Sequence, residues 1–208
     1  MNILHILLGW LLGLCTQPIQ QRISNWQKRS RAECLILTDL KETKTRMTPV
    51  PISIYSRYGQ LDNEKLNWSL KNNPQIVGEH NKMLESGLKI KDIIDFFNKN
   101  MGDPERVSYC KKINLFILDS DSEILSLMDS LFVQKVLEVK FRIMAINDDI
   151  DYFRSLLTMT FDSAISEDNA QIIREQIQAV SLAIADNMVI AVNKINEILD
   201  LKKQENNV

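Results

Sequence analysis

Large hydrophobic residues between positions 132 and 157 recur at alternating intervals of four and three. The series comprises Phe132, Val136, Val139, Ile143, Ile146, Ile150, Phe153 and Leu157. This spacing is typical of a long helix that packs along one seam. A second series follows at similar intervals: Ile173, Ile177, Val180, Ile184, Met188, Ala191, Ile195 and Ile198. The two series predict two long amphipathic helices.

A short interruption at residues 161–165 separates the two predicted helices. Ser166 suits the N-cap of the second helix, and Glu167 and Asp168 in the first turn favour its dipole. A short connection brings consecutive helices back antiparallel. We therefore predict an all-α fold containing a coiled-coil-like antiparallel hairpin over residues 130–202, followed by a frayed polar tail.

Several apolar residues lie off the two seams. They are Leu137, Phe141, Leu156, Ile172 and Val192. A third helix is needed to cover them, and the apolar spacing from residue 19 to about Met47 predicts one long enough. Pro49 and Pro51 are expected to end it, because neither fits inside a regular helix.

The region from residue 52 to 130 predicts short helices joined by loops. Asp62 is placed to cap one of them, with Leu61 and Leu66 as a hydrophobic staple. Asn72-Asn73-Pro74 should end that helix. A second helix is expected over residues 88–101, closed by Gly102 and Pro104. The run at 113–118 is expected to be extended or helical, because no second strand candidate is available to pair with it.

The N-terminal segment is the most apolar part of the chain. Residues 3–15 contain no Asp, Glu, Lys or Arg, and the apolar character continues weakly to Ile19. About 17 such residues lie at the short end of what spans a bilayer. We predict a membrane anchor over residues 1–19, as a transmembrane or an interfacial helix. Burial in a core is the alternative. A signal peptide fits poorly, because a basic leader and a small-residue cleavage site are missing.

Four basic residues follow the apolar segment: Arg22, Lys28, Arg29 and Arg31. Under the positive-inside rule they place the N-terminus outside and the remaining chain, residues 20–208, in the cytoplasm. They are also candidates for binding anionic lipid, and Trp26 among them suits a headgroup region. Pro18 is expected to kink the chain between the anchor and a juxtamembrane helix over residues 20–48.

Gly9 and Gly13 form a GxxxG step inside the apolar segment. Glycines four residues apart lie on one helix face and allow a second helix to approach closely. They are candidate residues for self-association of the anchor.

Composition supports a helical domain and narrows the function classes. The 208 residues include only 5 Pro and 6 Gly, which favours helix, and the net charge of −2 gives no support to nucleic-acid binding. Cys15, Cys34 and Cys110 are too scattered to suggest metal ligands and are expected to be reduced thiols. The two histidines, His5 and His80, add no clustering.

Two acidic clusters are candidates for metal binding or acid–base catalysis. Asp119, Asp121 and Glu123 resemble the start of a calcium loop, but Ile124 stands where such a loop requires glycine. Ser120 and Glu123 instead have the spacing of a capping box, which is the preferred interpretation.

Asp148, Asp149 and Asp151 form the second cluster, in mid-helix. Paired carboxylates can hold a metal or act as acid and base, but no accompanying ligand motif occurs, so a solvated helix face is preferred. Nucleotide-binding, hydrolase and zinc-protease motifs are missing too. The sequence therefore predicts no catalytic, cofactor or metal residue.

Residues Leu7 to Gly13 with Pro18, together with Phe161-Asp162-Ser163, resemble a group of uncharacterised bacterial proteins with a short N-terminal membrane anchor and a C-terminal helical hairpin. The likeness covers about a quarter of the chain, and Pro49 and Pro51 depart from it. It implies a bacterial inner-membrane location and carries no known activity.

These patterns predict a membrane-tethered, non-enzymatic interaction or scaffold protein. Its expected partners are the lipid bilayer and either further copies of itself or an unidentified protein. One alternative is a membrane-perturbing effector, such as a toxin or defence component, acting through its anchor helix. A second is a soluble helical ligand binder or enzyme with a buried N-terminal helix.

Overall fold

The computed structural model describes residues 3–100, 111–115, 122–161 and 166–205, and these are all-helical without a strand. The helices are α1 (Ile3–Met47), α2 (Pro49–Arg57), α3 (Asn63–Asn72), α4 (Pro74–Glu85), α5 (Ile90–Asn100), a 3-10 helix (Ser122–Leu127), α6 (Ser130–Thr160) and α7 (Glu167–Glu205). The predicted all-α class is confirmed.

The two longest helices of the C-terminal half pack antiparallel. Glu138 of α6 lies 2.7 Å from Lys194 of α7, and Lys135 lies 3.6 Å from Glu197. Residue numbers therefore increase along α6 in the direction in which they decrease along α7. The predicted α6 seam is buried from Phe132 to Phe153, after which Leu156 is buried in place of Leu157. Supercoiling of the pair as a coiled coil stays a prediction.

Helix α7 forms the centre of the bundle, with α6, α2 and α1 packed against it. Polar side chains attach α2 and α3 to it. The Tyr55 hydroxyl donates to Asp186 at 2.5 Å, and the Trp68 indole N–H donates to Asn193 at 2.8 Å. These contacts join residues more than 120 positions apart, so they specify the docking of the N-terminal helices on α7.

The predicted third helix covers the hairpin only in part. Helix α1 packs on α7, and Leu156 and Val192 are buried. Phe141 stays 64% exposed and Ile172 52% exposed, so the prediction that a third helix covers them is wrong. The reason is geometric, because α1 and α2 pack on α7 whereas Phe141 lies on the outward face of α6.

Local signals around the short helices are confirmed. Asp62 accepts a hydrogen bond from the Lys65 backbone N–H at 2.9 Å and caps α3, with Leu61 and Leu66 both buried. Asn73 follows the last residue of α3 and caps α4 by accepting from the Gln75 backbone N–H at 3.1 Å. Helix α5 begins two residues later than predicted, and its predicted closing residues lie outside the described ranges.

Helix α1 ends at Met47, as expected, but the two prolines after it do not stay outside a helix. Pro49 opens α2, and Pro51 lies in its first turn. The first-turn amides of a helix have no acceptor within the helix, so a residue without an N–H fits there.

The residues from 111 to 115 form neither helix nor strand, which agrees with the expectation of an extended run there; residues 116–118 lie outside the described ranges. Asn147 of α6 holds this segment by both ends of its carboxamide. It accepts from the Ile113 backbone N–H and donates to the Ile113 carbonyl, each at 2.8 Å. Ile113 and Leu115 are buried, so the segment forms part of the core.

The C-terminal tail is more ordered than predicted. Helix α7 continues to Glu205, and Lys202 is 8% exposed with its ammonium 3.1 Å from Glu33. The prediction that the chain frays from residue 202 is therefore wrong as far as residue 205, because an ion pair to α1 holds this end.

A candidate membrane-facing segment on the first helix

Among the described side chains of α1, those that pack in the bundle lie in its C-terminal part. The 45 residues of α1 extend about 68 Å at 1.5 Å per residue, and its assignment continues through Pro18 without a break. Side chains are buried from Ala32 onward at helical spacing, including Ile36, Leu40 and Met47. Every described side chain from residue 20 to 31 is exposed. We call residues 20–31 the exposed segment of α1.

Charge is distributed unequally along the chain. Arg22, Lys28, Arg29 and Arg31 lie in the exposed segment, and Glu33 is the first acidic residue of the sequence. The 176 residues from Glu33 to Val208 hold 21 basic and 27 acidic side chains. The N-terminal part of α1 is therefore cationic, whereas the rest of the chain is net acidic.

The four predicted lipid-binding residues do not have the same surroundings. Arg29 forms an ion pair with Asp129 at 3.2 Å, with both side chains 46% exposed. An exposed pair of this kind contributes about 1 kcal/mol or less, so an anion of higher charge can compete for Arg29. Within the described ranges, Arg22, Lys28 and Arg31 form no ion pair.

Two apolar side chains accompany these cations. Trp26 is 69% exposed and Ile23 is 52% exposed. Residues three apart lie on one side of a helix, so the two side chains form a single exposed patch. Tryptophan is enriched at membrane interfaces, where its ring contacts acyl chains and its N–H contacts headgroups. Cationic and aromatic groups together are the combination that such an interface favours.

Four side chains lie at the point where α1 leaves the bundle. We call them the polar joint: Glu33, Asp129, Phe132 and Lys202. The Lys202 ammonium pairs with Glu33 and lies 5.1 Å from the centre of the Phe132 ring. Asp129 caps α6 by accepting from the Phe132 N–H at 2.8 Å, and this bond, with Lys202 and Arg29 nearby, lowers the pKa of Asp129. This joint could not be predicted from the sequence, because Glu33 and Lys202 are distant in the chain. The position of Asp129 before α6 was the one local signal.

The transmembrane prediction is not supported by the structure. Among the described residues, no helix combines the length and the apolar character needed to cross a bilayer. The surroundings of the side chains of residues 3–19, including Gly9 and Gly13, lie outside the description. Self-association through these two glycines stays a prediction.

The acidic cluster on α6 is divided among different partners. Asp149 accepts from the Asn187 amide at 3.2 Å, and Asp151 pairs with Lys112 and, at 3.7 Å, with Arg154. Asp148 and Asp151 are exposed, as the preferred solvated face requires, whereas Asp149 is half-buried. In the described part of the chain, no group of His, Cys, Asp and Glu side chains is arranged to hold a metal ion.

The remaining cysteine, histidine and acidic residues considered in the sequence do not form a binding or catalytic site among the described residues. Cys34 is exposed and His80 is buried. Cys110, Asp119 and Asp121 lie outside the described ranges, and so does the predicted Ser120 cap.

No protein-family model, curated protein or solved structure matches this chain. The resemblance to membrane-anchored bacterial proteins therefore stays a prediction. The exposed segment of α1, its charge and its joint to α7 are the features from which a function can be proposed.

Proposed function

We propose that this protein is a non-enzymatic interaction protein that attaches its helical bundle to an anionic membrane surface through α1. One observation carries the proposal. Directly after the apolar N-terminal run, α1 leaves the bundle as a series of exposed side chains that is cationic, contains no acidic residue and presents Trp26. Attachment along the surface does not require a helix that spans the bilayer.

The charges and the apolar run act together. A basic side chain near an anionic bilayer contributes about 1 kcal/mol, so four of them alone give weak attachment. Stable anchoring generally needs two signals, such as an apolar element with a polybasic patch. Residues 3–15 supply the apolar element, and Arg22, Lys28, Arg29 and Arg31 supply the charge. The sequence prediction of an external N-terminus is not needed for this mode of attachment.

The role as an interaction protein follows from what the bundle offers. Polar side chains at the contacts between its helices, such as Tyr55 with Asp186 and Trp68 with Asn193, are used to dock one helix on another. The acidic cluster of α6 is likewise engaged by other side chains. We therefore propose that the bundle serves as a rigid body held at the membrane for a partner or a second copy.

The test is co-flotation of the full-length chain with lipid vesicles. Vesicles of phosphatidylcholine alone are compared with vesicles that contain one quarter phosphatidylglycerol. The variant Arg22→Glu, Lys28→Glu, Arg31→Glu leaves the Arg29–Asp129 pair in place. We expect its affinity for the anionic vesicles to fall by roughly 100-fold or more, because about 1 kcal/mol is lost for each cation removed.

A matched control has the same change in net charge elsewhere. Lys89, Lys91 and Lys99 are exposed around α5, and their replacement by Glu should leave flotation unchanged. Equal loss in both triple variants would attribute binding to overall charge. Failure of the unaltered chain to float with anionic vesicles would contradict the proposal outright.

A further inference from the structure

A second cationic feature lies at the opposite end of α1, in a cleft of about 470 Å³. The cleft is enclosed by the last turns of α1, the junction between α3 and α4, and Leu199 of α7. Lys41, Lys44, Asn73 and Gln75 are its principal polar side chains. Along α1, its centre is about 27 Å from the centre of the exposed segment, so the two features are separate.

The electrostatic environment of the cleft is positive. Lys44 is half-buried, and Lys71 and Lys203 both act on it as like charges, whereas Asp200 is the acidic group within reach. Burial lowers the pKa of Lys44, and Asp200 opposes this effect. Within the described ranges, neither Lys41 nor Lys44 forms an ion pair. A partly dehydrated ammonium beside other cations is stabilised by a bound anion.

A hydrogen-bond donor is also available in the cleft. Asn73 is only 5% exposed; its carboxamide oxygen caps α4, and its amide nitrogen bonds to none of the described residues. Asn73 lines the cleft, so this N–H group is available to donate to the oxygen of an anion bound there. The N-terminal end of α4 begins at Pro74 beside it and adds a positive helix dipole.

We propose that this cleft binds a phosphate group, either free or as the monoester of a small molecule. Lysine binds phosphate as a point charge, and Lys41 and Lys44 supply two such charges beside the Asn73 donor. The lining side chains include no carboxylate. The volume lies at the lower end of small-molecule sites, which favours a compact ligand over a polymer.

The test titrates the full-length chain by calorimetry, without lipid, with inorganic phosphate, glucose 6-phosphate and glucose. We expect saturable binding of a phosphate-bearing probe and none of glucose. Lys44→Gln should weaken binding at least tenfold, and the matched Lys91→Gln on α5 should leave it unchanged. Tighter binding of glucose 6-phosphate than of phosphate identifies a monoester as the ligand, and the reverse order identifies free phosphate.

A second variant distinguishes loss of binding from loss of folding. Asn73→Asp keeps an N-cap for α4 but replaces the amide donor with a charged acceptor, so binding should disappear while the melting temperature is retained. No saturable binding by the unaltered chain, or equal binding by Lys44→Gln and Lys91→Gln, would overturn the proposal. Neither result bears on vesicle flotation, which concerns residues 20–31.

Discussion

Replacing Ile146 by Asp is expected to unfold the bundle at temperatures where the unaltered chain is folded. Ile146 is 0% exposed and lies in the middle of the α6 seam that packs on α7. An unpaired carboxylate there loses its hydration without gaining a partner, which costs several kcal/mol. Domains of this size have a total stability of about 5–15 kcal/mol. Thermal and urea unfolding, followed by circular dichroism, measure the effect.

Phe141→Asp is the matched control, because it introduces the same charge on the same helix five residues away. Phe141 is 64% exposed, so the new carboxylate stays hydrated and the free energy of unfolding should change by about 1 kcal/mol or less. If both variants melt alike, the assignment of the buried side of α6 is wrong.

Replacing Lys202 by Glu is expected to detach the C-terminal end of α7 from α1 and α6. The side chain of Lys202 is 10% exposed and pairs with Glu33, which is 24% exposed, while its ammonium lies beside the Phe132 ring. The change removes the cation and brings two carboxylates together in a partly dehydrated site. Breaking a buried pair in this way costs about 3–5 kcal/mol.

Lys203→Glu makes the same charge change at the next residue, whose side chain is 74% exposed. Its pair with Asp200 is exposed and contributes about 1 kcal/mol or less, so this variant should unfold close to the unaltered chain. Hydrogen exchange should show faster exchange at the C-terminal end of α7 in the Lys202 variant alone. Equal stability of the two variants would show that the polar joint does not hold α1.

The periodic parts of the sequence predicted this fold well. The α6 seam and Ser166 as the residue before α7 follow from spacing and local capping chemistry, which a single sequence displays directly. The Asp62 cap and its Leu61–Leu66 staple were predictable for the same reason. Each of these features depends on residues only a few positions apart.

Features that depend on distant residues were not predictable. Lys202 looked like part of a polar tail, but it is buried beside the Phe132 ring and pairs with Glu33, 169 residues earlier. Arg29 carries a positive charge that Asp129 partly neutralises, which its sequence neighbours do not show. Phe141 was expected to be covered by a third helix, but it is exposed. The spacing shows that a position is apolar, and it does not show what packs on that position. Candidate lipid-binding residues could be proposed from charge alone, whereas their exposure required the fold.

Contact of the exposed segment of α1 with an anionic membrane is tested most directly at Trp26. Replacing Trp10 and Trp68 by Phe leaves Trp26 as the only tryptophan in the chain. Its fluorescence is recorded with vesicles that contain lipids brominated along their acyl chains, with and without phosphatidylglycerol. If this segment contacts the membrane, the fluorescence shifts to the blue and is strongly quenched with the anionic vesicles, and it changes little with neutral ones. A water-exposed, unquenched Trp26 on vesicles to which the protein is bound would contradict this contact.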